Sequence, residues 1–212
     1  MGIKRKVKTL SNATPSSMGP RSMKVKGVIS NNTIVEGNYR VAMTTDTFGQ
    51  AAVAVRLDTV TNSSSAINTL AGLYQEYLYK PGTSFTYVPA VGLTTPGSVF
   101  VAWLDNAEVM KNYVEGTVSQ RNNIIANTAN SKVYPIWQQF TVSLTAAPRL
   151  KKFDVNDSFE TNAGAQMSSE FARSCQGMWA VGVLNGPVSQ QVSISYAHAK
   201  LQLWGLRASA DT

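Results

Sequence analysis

Hydrophobic and polar residues alternate with a period of two along much of the chain, which is the pattern of half-buried β-strands. In residues 83–89 (TSFTYVP) the two aromatic side chains fall in one phase, and the strand closes at the proline. Residues 98–104 (SVFVAWL) are almost wholly apolar, as expected for a strand that is covered on both faces. The intervening Thr95-Pro96-Gly97 predicts a turn, because proline presets φ and glycine tolerates positive φ.

Similar β-prone runs occur before and after this central stretch, and clusters of Asn, Gly, Asp and Thr separate them. The last run is irregular, because its apolar residues share one phase up to Tyr196 and the opposite phase from Leu201 onward. This change of phase predicts either a β-bulge near His198 or a strand that is covered on both faces. The further predicted strands cover residues 25–29, 33–35, 39–43, 51–57, 140–144, 178–184 and 192–206.

Two segments predict helices, and one predicts a long loop. Apolar residues recur at helical spacing from Ile67 to Leu78, after several potential N-cap residues, so we expect an amphipathic helix that ends before Pro81-Gly82. A second, short helix is predicted over residues 108–114. The Asn-rich residues 117–132 predict a long loop, which in a compact domain usually has a function or contacts a neighbour.

About eight strands with turn signals between them, and one or two short helices in the connections, predict an all-β fold. The architecture that suits this order is an eight-stranded single jelly-roll β-sandwich, in which two sheets of four strands pack together. We expect this domain to span residues 27–212 and to follow an N-terminal arm at residues 1–26.

The arm carries the whole net charge of the protein, which is +7. It contains no acidic and no aromatic residue, so it cannot bury enough apolar surface to offset its ordering entropy, and we expect it to be disordered when free. Its cations would neutralise the phosphates of a nucleic acid. A solubilising tail or a weak nuclear-import signal at Lys4-Arg5-Lys6 are the alternatives. The predicted nucleic-acid-binding residues are Lys4, Arg5, Lys6, Lys8, Arg21, Lys24 and Lys26.

Catalytic residue types are scarce in the sequence. His198 is the only histidine and Cys175 the only cysteine, and no P-loop, G-x-G-x-x-G or G-x-S-x-G motif occurs. A catalytic set would have to combine His198 with Ser193, Ser195, Cys175 or Asp154. We therefore expect a structural histidine, no catalytic residue and no enzymatic activity.

Two further classes of protein are not indicated. No stretch approaches the roughly 20 apolar residues that a membrane span needs, so no membrane partner is expected. The single Cys175 cannot form an intrachain disulfide, which favours synthesis in a reducing compartment.

Asp105 and Glu108 follow the buried run directly and could offer hard oxygen ligands to calcium. Calcium takes about six to eight ligands, so waters or a neighbouring subunit would have to complete the shell. A solvated acidic loop is the alternative.

The order of these features resembles the shell domain of tombusvirus-like and sobemovirus-like capsid proteins. A second match lies in the last two predicted strands, where G-x-W-x-V-G-V at residues 177–183 precedes V-x-I-x-Y-x-x-x-L-x-L at residues 192–203. The central residues that carry the resemblance are Tyr74, Tyr77, Tyr87-Val88-Pro89, Thr95-Pro96-Gly97, Val99, Ala102 and Asp105.

The resemblance implies a coat protein that assembles with itself into an icosahedral shell of roughly 60 or 180 copies. It implies a virion that encloses single-stranded RNA, with single-stranded DNA left open, and synthesis in the host cytoplasm, with nuclear entry left open. It also implies calcium between subunits at Asp105 and Glu108. No Pro/Gly hinge followed by another hundred residues occurs, so we expect no protruding domain, which some of these viruses add. No other cofactor is expected.

The rival hypothesis is a non-viral, lectin-like β-sandwich binding module with a basic targeting tail. That hypothesis predicts a monomer or small oligomer with a pocket lined by aromatic residues such as Trp103, Trp137 or Trp179.

Overall fold

Strands and two helices make up the part of the chain that the computed structural model describes, which comprises residues 24–26, 32–55, 73–144, 153–154 and 176–206. The strands are β1 (Lys24–Lys26), β2 (Asn32–Thr44), β3 (Ala51–Val55), β4 (Tyr74–Tyr79), β5 (Ser84–Tyr87), β6 (Ser98–Leu104), β7 (Lys132–Pro135), β8 (Phe140–Ser143), β9 (Phe153–Asp154), β10 (Met178–Leu184) and β11 (Gln191–Leu206). The helices are α1 (Ala107–Glu115) and α2 (Val118–Asn127).

The strands form two antiparallel sheets. In the first sheet β1, β2 and β11 lie side by side, and β5 and β4 then pair with successive parts of β11. Strand β8 pairs with β5 and β9 with β4. The second sheet has the order β3-β10-β6-β7. Each sheet thus has four main strand positions, which confirms the predicted eight-stranded jelly roll. The described strands exceed eight because two positions of the first sheet are divided in two and β1 is added at its edge.

The core between the sheets follows the predicted alternation. Phe85 and Tyr87 are fully buried, whereas Ser84 and Thr86 face outward. Strand β6 coincides with the predicted run, and its burial continues on both faces, because the second sheet carries the helices on its other side. The buried phenol of Tyr87 donates a hydrogen bond to the carbonyl oxygen of Ile136, at 2.8 Å. Burial of this hydroxyl is therefore compensated.

The β-bulge predicted near His198 lies at the start of β11 instead. The register shifts between Gln191 and Ser193, not near His198. From Ser193 to Leu203 the odd-numbered residues face the core without interruption, and the first four of them are Ser or Ala. Small side chains fit there because large aromatic residues of β4 and β5 occupy the adjacent core. The apolar Ile194 and Tyr196 consequently lie on the outer face.

The helix predicted to end before Pro81-Gly82 is wrong for its described part. Residues 74–79 form β4, which pairs with β11 from Tyr79 opposite Leu201 to Tyr74 opposite Leu206. Tyr77, Leu78 and Tyr79 are all buried, so both faces of this strand are covered and the alternation is hidden. The apolar residues of this segment have helical spacing, but the segment forms a strand. Tyrosine favours strands, and β11 provides the backbone hydrogen-bond partner. The rest of the predicted helix lies outside the described residues.

The connection between β6 and β7 consists of both helices. The helix predicted over 108–114 is confirmed as α1, whereas the loop predicted over 117–132 is wrong, because α2 and part of β7 occupy it. Thr117 caps α2 in a reciprocal capping box with Gln120. This T-x-x-Q signal was present in the sequence. In the described part of the chain, neither helix is long and apolar enough to cross a membrane.

Both helices pack on the outer face of the second sheet. The hydroxyl of Tyr113 in α1 donates to the carbonyl oxygens of Val53, at 3.1 Å, and Val181, at 3.3 Å. Helix α2 lies directly over Gly182, where Asn122 Nδ2 donates to the carbonyl oxygen of Val183 at 3.3 Å. The helices therefore cover this face of the second sheet.

Candidate assembly and nucleic-acid surfaces

The predicted arm meets the domain at the edge of the first sheet. Lys24 and Lys26 lie in β1, in register opposite Glu36 and Ile34 of β2. Among the described residues, the last three positions of the predicted arm thus form a strand of the first sheet. The other predicted nucleic-acid-binding residues, which lie outside the described residues, are Lys4, Arg5, Lys6, Lys8 and Arg21.

Four loops meet at one end of the sandwich, and we call this surface the loop end: residues 45–50, 88–97, 136–139 and 185–190. Backbone hydrogen bonds join the first loop to the last, since Gly186 N donates to Gly49 O at 2.9 Å. A hydrogen bond also ties the loop of residues 88–97 to β11, because Ala90 N donates to Val192 O at 2.8 Å.

The close approach of these loops requires glycine at two positions. Gly49 has φ +67°, and a Cβ there would lie 2.2 Å from the carbonyl oxygen of Gly186. Gly97 has φ +123°, and a Cβ there would lie 2.9 Å from the carbonyl oxygen of Asn185. Gly97 also accepts a hydrogen bond from Ile136 N at 3.0 Å, which ties in the third loop. The loop end is thus a defined surface, held by backbone contacts.

Each of the four loops exposes one large apolar side chain. Among the described residues, Phe48 is 80% exposed, Leu93 77%, Val188 62% and Trp137 37%. Exposed apolar side chains grouped on one surface indicate an interaction site. Sequence analysis missed three of them. The available signal was an apolar residue between turn-forming residues, as in Thr47-Phe48-Gly49. Such a residue belongs to no alternating strand pattern that would explain it as part of the core.

The acidic pair lies at the start of α1. Asn106 is the N-cap, and its Oδ1 accepts from the backbone N of Glu108 at 3.0 Å and of Val109 at 3.2 Å. Glu108 is exposed in the first turn, where a negative charge is favourable. Asp105 immediately precedes the cap. Within the described ranges, no three His, Cys, Asp or Glu residues lie together as a metal site. The two carboxylates therefore fit only part of a calcium shell.

His198 and the serines proposed as its alternative partners lie on opposite faces of β11. Ser193 and Ser195 are buried toward the core, and Ser195 Oγ donates to Ser193 Oγ at 3.1 Å. His198 faces outward with Nδ1 2.8 Å from Oδ1 of Asn38. Burial lowers the pKa of His198, although Glu36 opposes this shift. Cys175 lies outside the described residues, and the side chain of Asp154 is not described.

Two of the three tryptophans named by the binding-module hypothesis are core residues. Trp103 and Trp179 are buried, and their rings pack edge to face with centroids 5.0 Å apart. Trp137 lies on the loop end instead. Trp137 thus lies apart from the buried pair Trp103 and Trp179.

No protein-family model and no curated protein matches the chain. Among solved structures, tobacco necrosis virus is similar over 90% of both chains, with 14% sequence identity and a TM-score of 0.68. Melon necrotic spot virus matches 95% of this chain and 60% of its own, at 14% identity and a TM-score of 0.60. Cocksfoot mottle virus matches 81% of this chain and 94% of its own, at 13% identity and a TM-score of 0.56. The chain therefore has the jelly-roll fold of tombusvirus, sobemovirus and related necrosis virus capsids, as its sequence resemblance implied.

Proposed function

We propose that this chain is the coat protein of a small icosahedral virus. The observation that carries the proposal is the fold, which matches such capsids over nearly the whole chain although few residues are identical. Fold alone does not determine function, so the surfaces must support it. The loop end does so, because its four apolar side chains would be covered if copies met around a symmetry axis.

The arm supplies the second part of the proposed function. Residues 1–26 hold seven cations, whereas the remaining 186 residues hold equal numbers of basic and acidic side chains. Such a division favours binding of nucleic acid through phosphates and without sequence readout. The resemblance to viral capsids makes single-stranded RNA the preferred partner, with single-stranded DNA left open. Seven phosphate contacts on a single strand would give a log–log salt slope of about −5.

Calcium belongs to the same proposal. Asp105 and Glu108 would each supply a carboxylate at a contact between copies, and the second copy would have to complete the shell. In support of this proposal, Glu108 is exposed and Asp105 is half-buried beside the start of α1.

Sedimentation of the nuclease-treated full-length protein tests the proposal. We expect a fast species with the ultraviolet absorbance of nucleic acid. Replacing Lys4, Arg5, Lys6 and Lys8 by serine should yield particles with little nucleic acid and should lower the magnitude of the salt slope by about 3. Lys132→Ser, which removes one exposed charge from the edge of the second sheet, is the control and should leave both unchanged. A slow monomer at low salt with added RNA would contradict the proposal.

A further inference from the structure

The outer face of the first sheet, which is turned away from the second sheet, carries rows of polar side chains. One row runs across four strands, where Thr141 pairs with Thr86, Thr86 with Tyr196, and Tyr196 with Arg40. The two threonine hydroxyls lie 3.0 Å apart, and Arg40 is exposed. The row therefore presents hydroxyls, one aromatic ring and one guanidinium on the same face.

The next row has the same character. It contains Ser143, Ser84, His198 and Asn38, and strand pairing again brings them side by side. Every side chain in these two rows can form hydrogen bonds, and none is acidic. An ordinary solvated sheet face would also be polar, so polarity alone does not identify a partner.

Within the first three rows, charge and chain direction favour an anionic partner, whereas Glu76, which is paired with Trp204 and Asp154, gives a row farther along the same face acidic positions. In the third row Lys200 lies 3.4 Å from Glu36, and Lys24 of β1 occupies the register position on the other side of Glu36. The acidic Glu36 is thus placed between two basic positions. Strand β1 is also where the preceding 23 residues, which include five cations, join the sheet.

We propose that these three rows on the outer face of the first sheet are a second contact for single-stranded nucleic acid, continuous with the basic arm. This inference rests on the proposed function and extends it from the arm to named residues of the folded domain. Arg40 would bind a phosphate, and a base would stack on the ring of Tyr196. The hydroxyls and Asn38 would contact phosphates and sugars without reading sequence.

Photocrosslinking tests this inference in the full-length protein. The probe is an oligouridylate that carries 4-thiouridine, with crosslinked peptides mapped by mass spectrometry and affinity measured over a range of salt. We expect crosslinks within β11 as well as in residues 1–26. Arg40→Ser should lower the magnitude of the salt slope by about 0.7, whereas Lys132→Ser should not change it.

The aromatic ring has its own pair of variants. Tyr196→Ser should weaken binding at least about fivefold, whereas Tyr196→Phe should bind as the unmodified protein does, because stacking needs the ring and not the hydroxyl. Circular dichroism checks that each variant folds. If Tyr196→Ser fails to fold, the exposed Arg40 still tests the face.

Two results would overturn the inference. Crosslinks confined to residues 1–26, with an unchanged slope for Arg40→Ser, would remove the sheet contact and leave the proposed arm function intact. Loss of self-association in Arg40→Ser, with unchanged nucleic-acid affinity, would assign this face to a second copy of the chain. Absence of nucleic-acid binding by the unmodified protein would instead contradict the proposed function itself.

Discussion

Two buried tyrosine hydroxyls make the fold sensitive to alkaline pH. Burial raises the pKa of both Tyr87 and Tyr113 well above the ordinary value, and for Tyr113 the nearby Arg121 only partly opposes this shift. Each phenol stays neutral in the folded state while the unfolded chain titrates near pH 10. Their contribution is therefore fully present below about pH 10 and is lost as the pH rises further, because the unfolded state then binds fewer protons.

We predict that the free energy of unfolding falls steeply above about pH 10. Denaturant titrations at a series of pH values, together with tyrosinate absorbance, measure this dependence. Tyr87→Phe should flatten it while costing about 1 kcal/mol at neutral pH, because the hydrogen bond to Ile136 is lost. A stability that does not change up to about pH 12 would show that these phenols ionise inside the fold.

At the level of single residues, the sequence predicted the core well where large and small side chains alternate. The inward phase of Phe85 and Tyr87 could be predicted for this reason. The same pattern gave the wrong core residues in β11, because Ser195 and Ala197 face the core while Tyr196 faces outward. Their burial depends on aromatic residues more than a hundred positions away, and no local pattern contains that information.

At the level of elements, the contact of α2 with the second sheet depends on one glycine. A Cβ at Gly182 would lie 2.0 Å from Asn122 Oδ1 and 2.9 Å from Ile125 Cδ1. Both of those side chains belong to the buried face of α2. Helix and sheet are thus in close contact at Gly182, and any side chain there would push the helix away.

Gly182→Ala should destabilise the protein by about 1–3 kcal/mol, as overpacking typically does. Adding Asn122→Ala should recover part of this loss, because it removes the nearer of the two contacts. Gly92→Ala is the control, since nothing lies within 4 Å of a Cβ at that position. Urea unfolding measures the stability of Gly182→Ala, of the double variant and of Gly92→Ala. Equal stability of Gly182→Ala and Gly92→Ala would show that α2 moves away from the added methyl group at little cost.

The same element shows what a closer look at the sequence could have provided. Thr117 and Gln120 form the capping box that starts α2, so this helix was predictable, although its Asn-rich composition favoured a loop. Strand β4 was not predictable, because the spacing from Tyr74 to Leu78 fits a helix as well as a strand with both faces covered. Only its pairing with β11 distinguishes the two.

At the level of the whole molecule, three surfaces differ in character. Helices cover the second sheet, three polar rows lie on the outer face of the first sheet, and apolar side chains project from the loop end. The jelly roll itself was predictable, because the hydrophobic pattern of a chain reports its own core. The loop end was harder to predict, because its exposed apolar residues follow no alternation and are signalled only by their place between turn formers.

The loop end therefore provides the most direct test of assembly. Leu93→Ser combined with Val188→Ser should leave the isolated subunit folded, because both side chains are exposed and support no core contact. The variant should sediment as a slow species under conditions in which the unmodified protein forms particles, since each copy would lose apolar area at the proposed symmetry contact.

Val133→Ser is the matched control, because Val133 is 55% exposed on β7 and belongs to none of the four loops. We expect it to form particles that electron microscopy cannot distinguish from those of the unmodified protein. Particles formed equally well by the Leu93 and Val188 double variant would show that copies meet through other surfaces. Loss of assembly in the double variant alone would place the subunit contact at the four loops, because these apolar side chains are exposed among the described residues and their burial favours association.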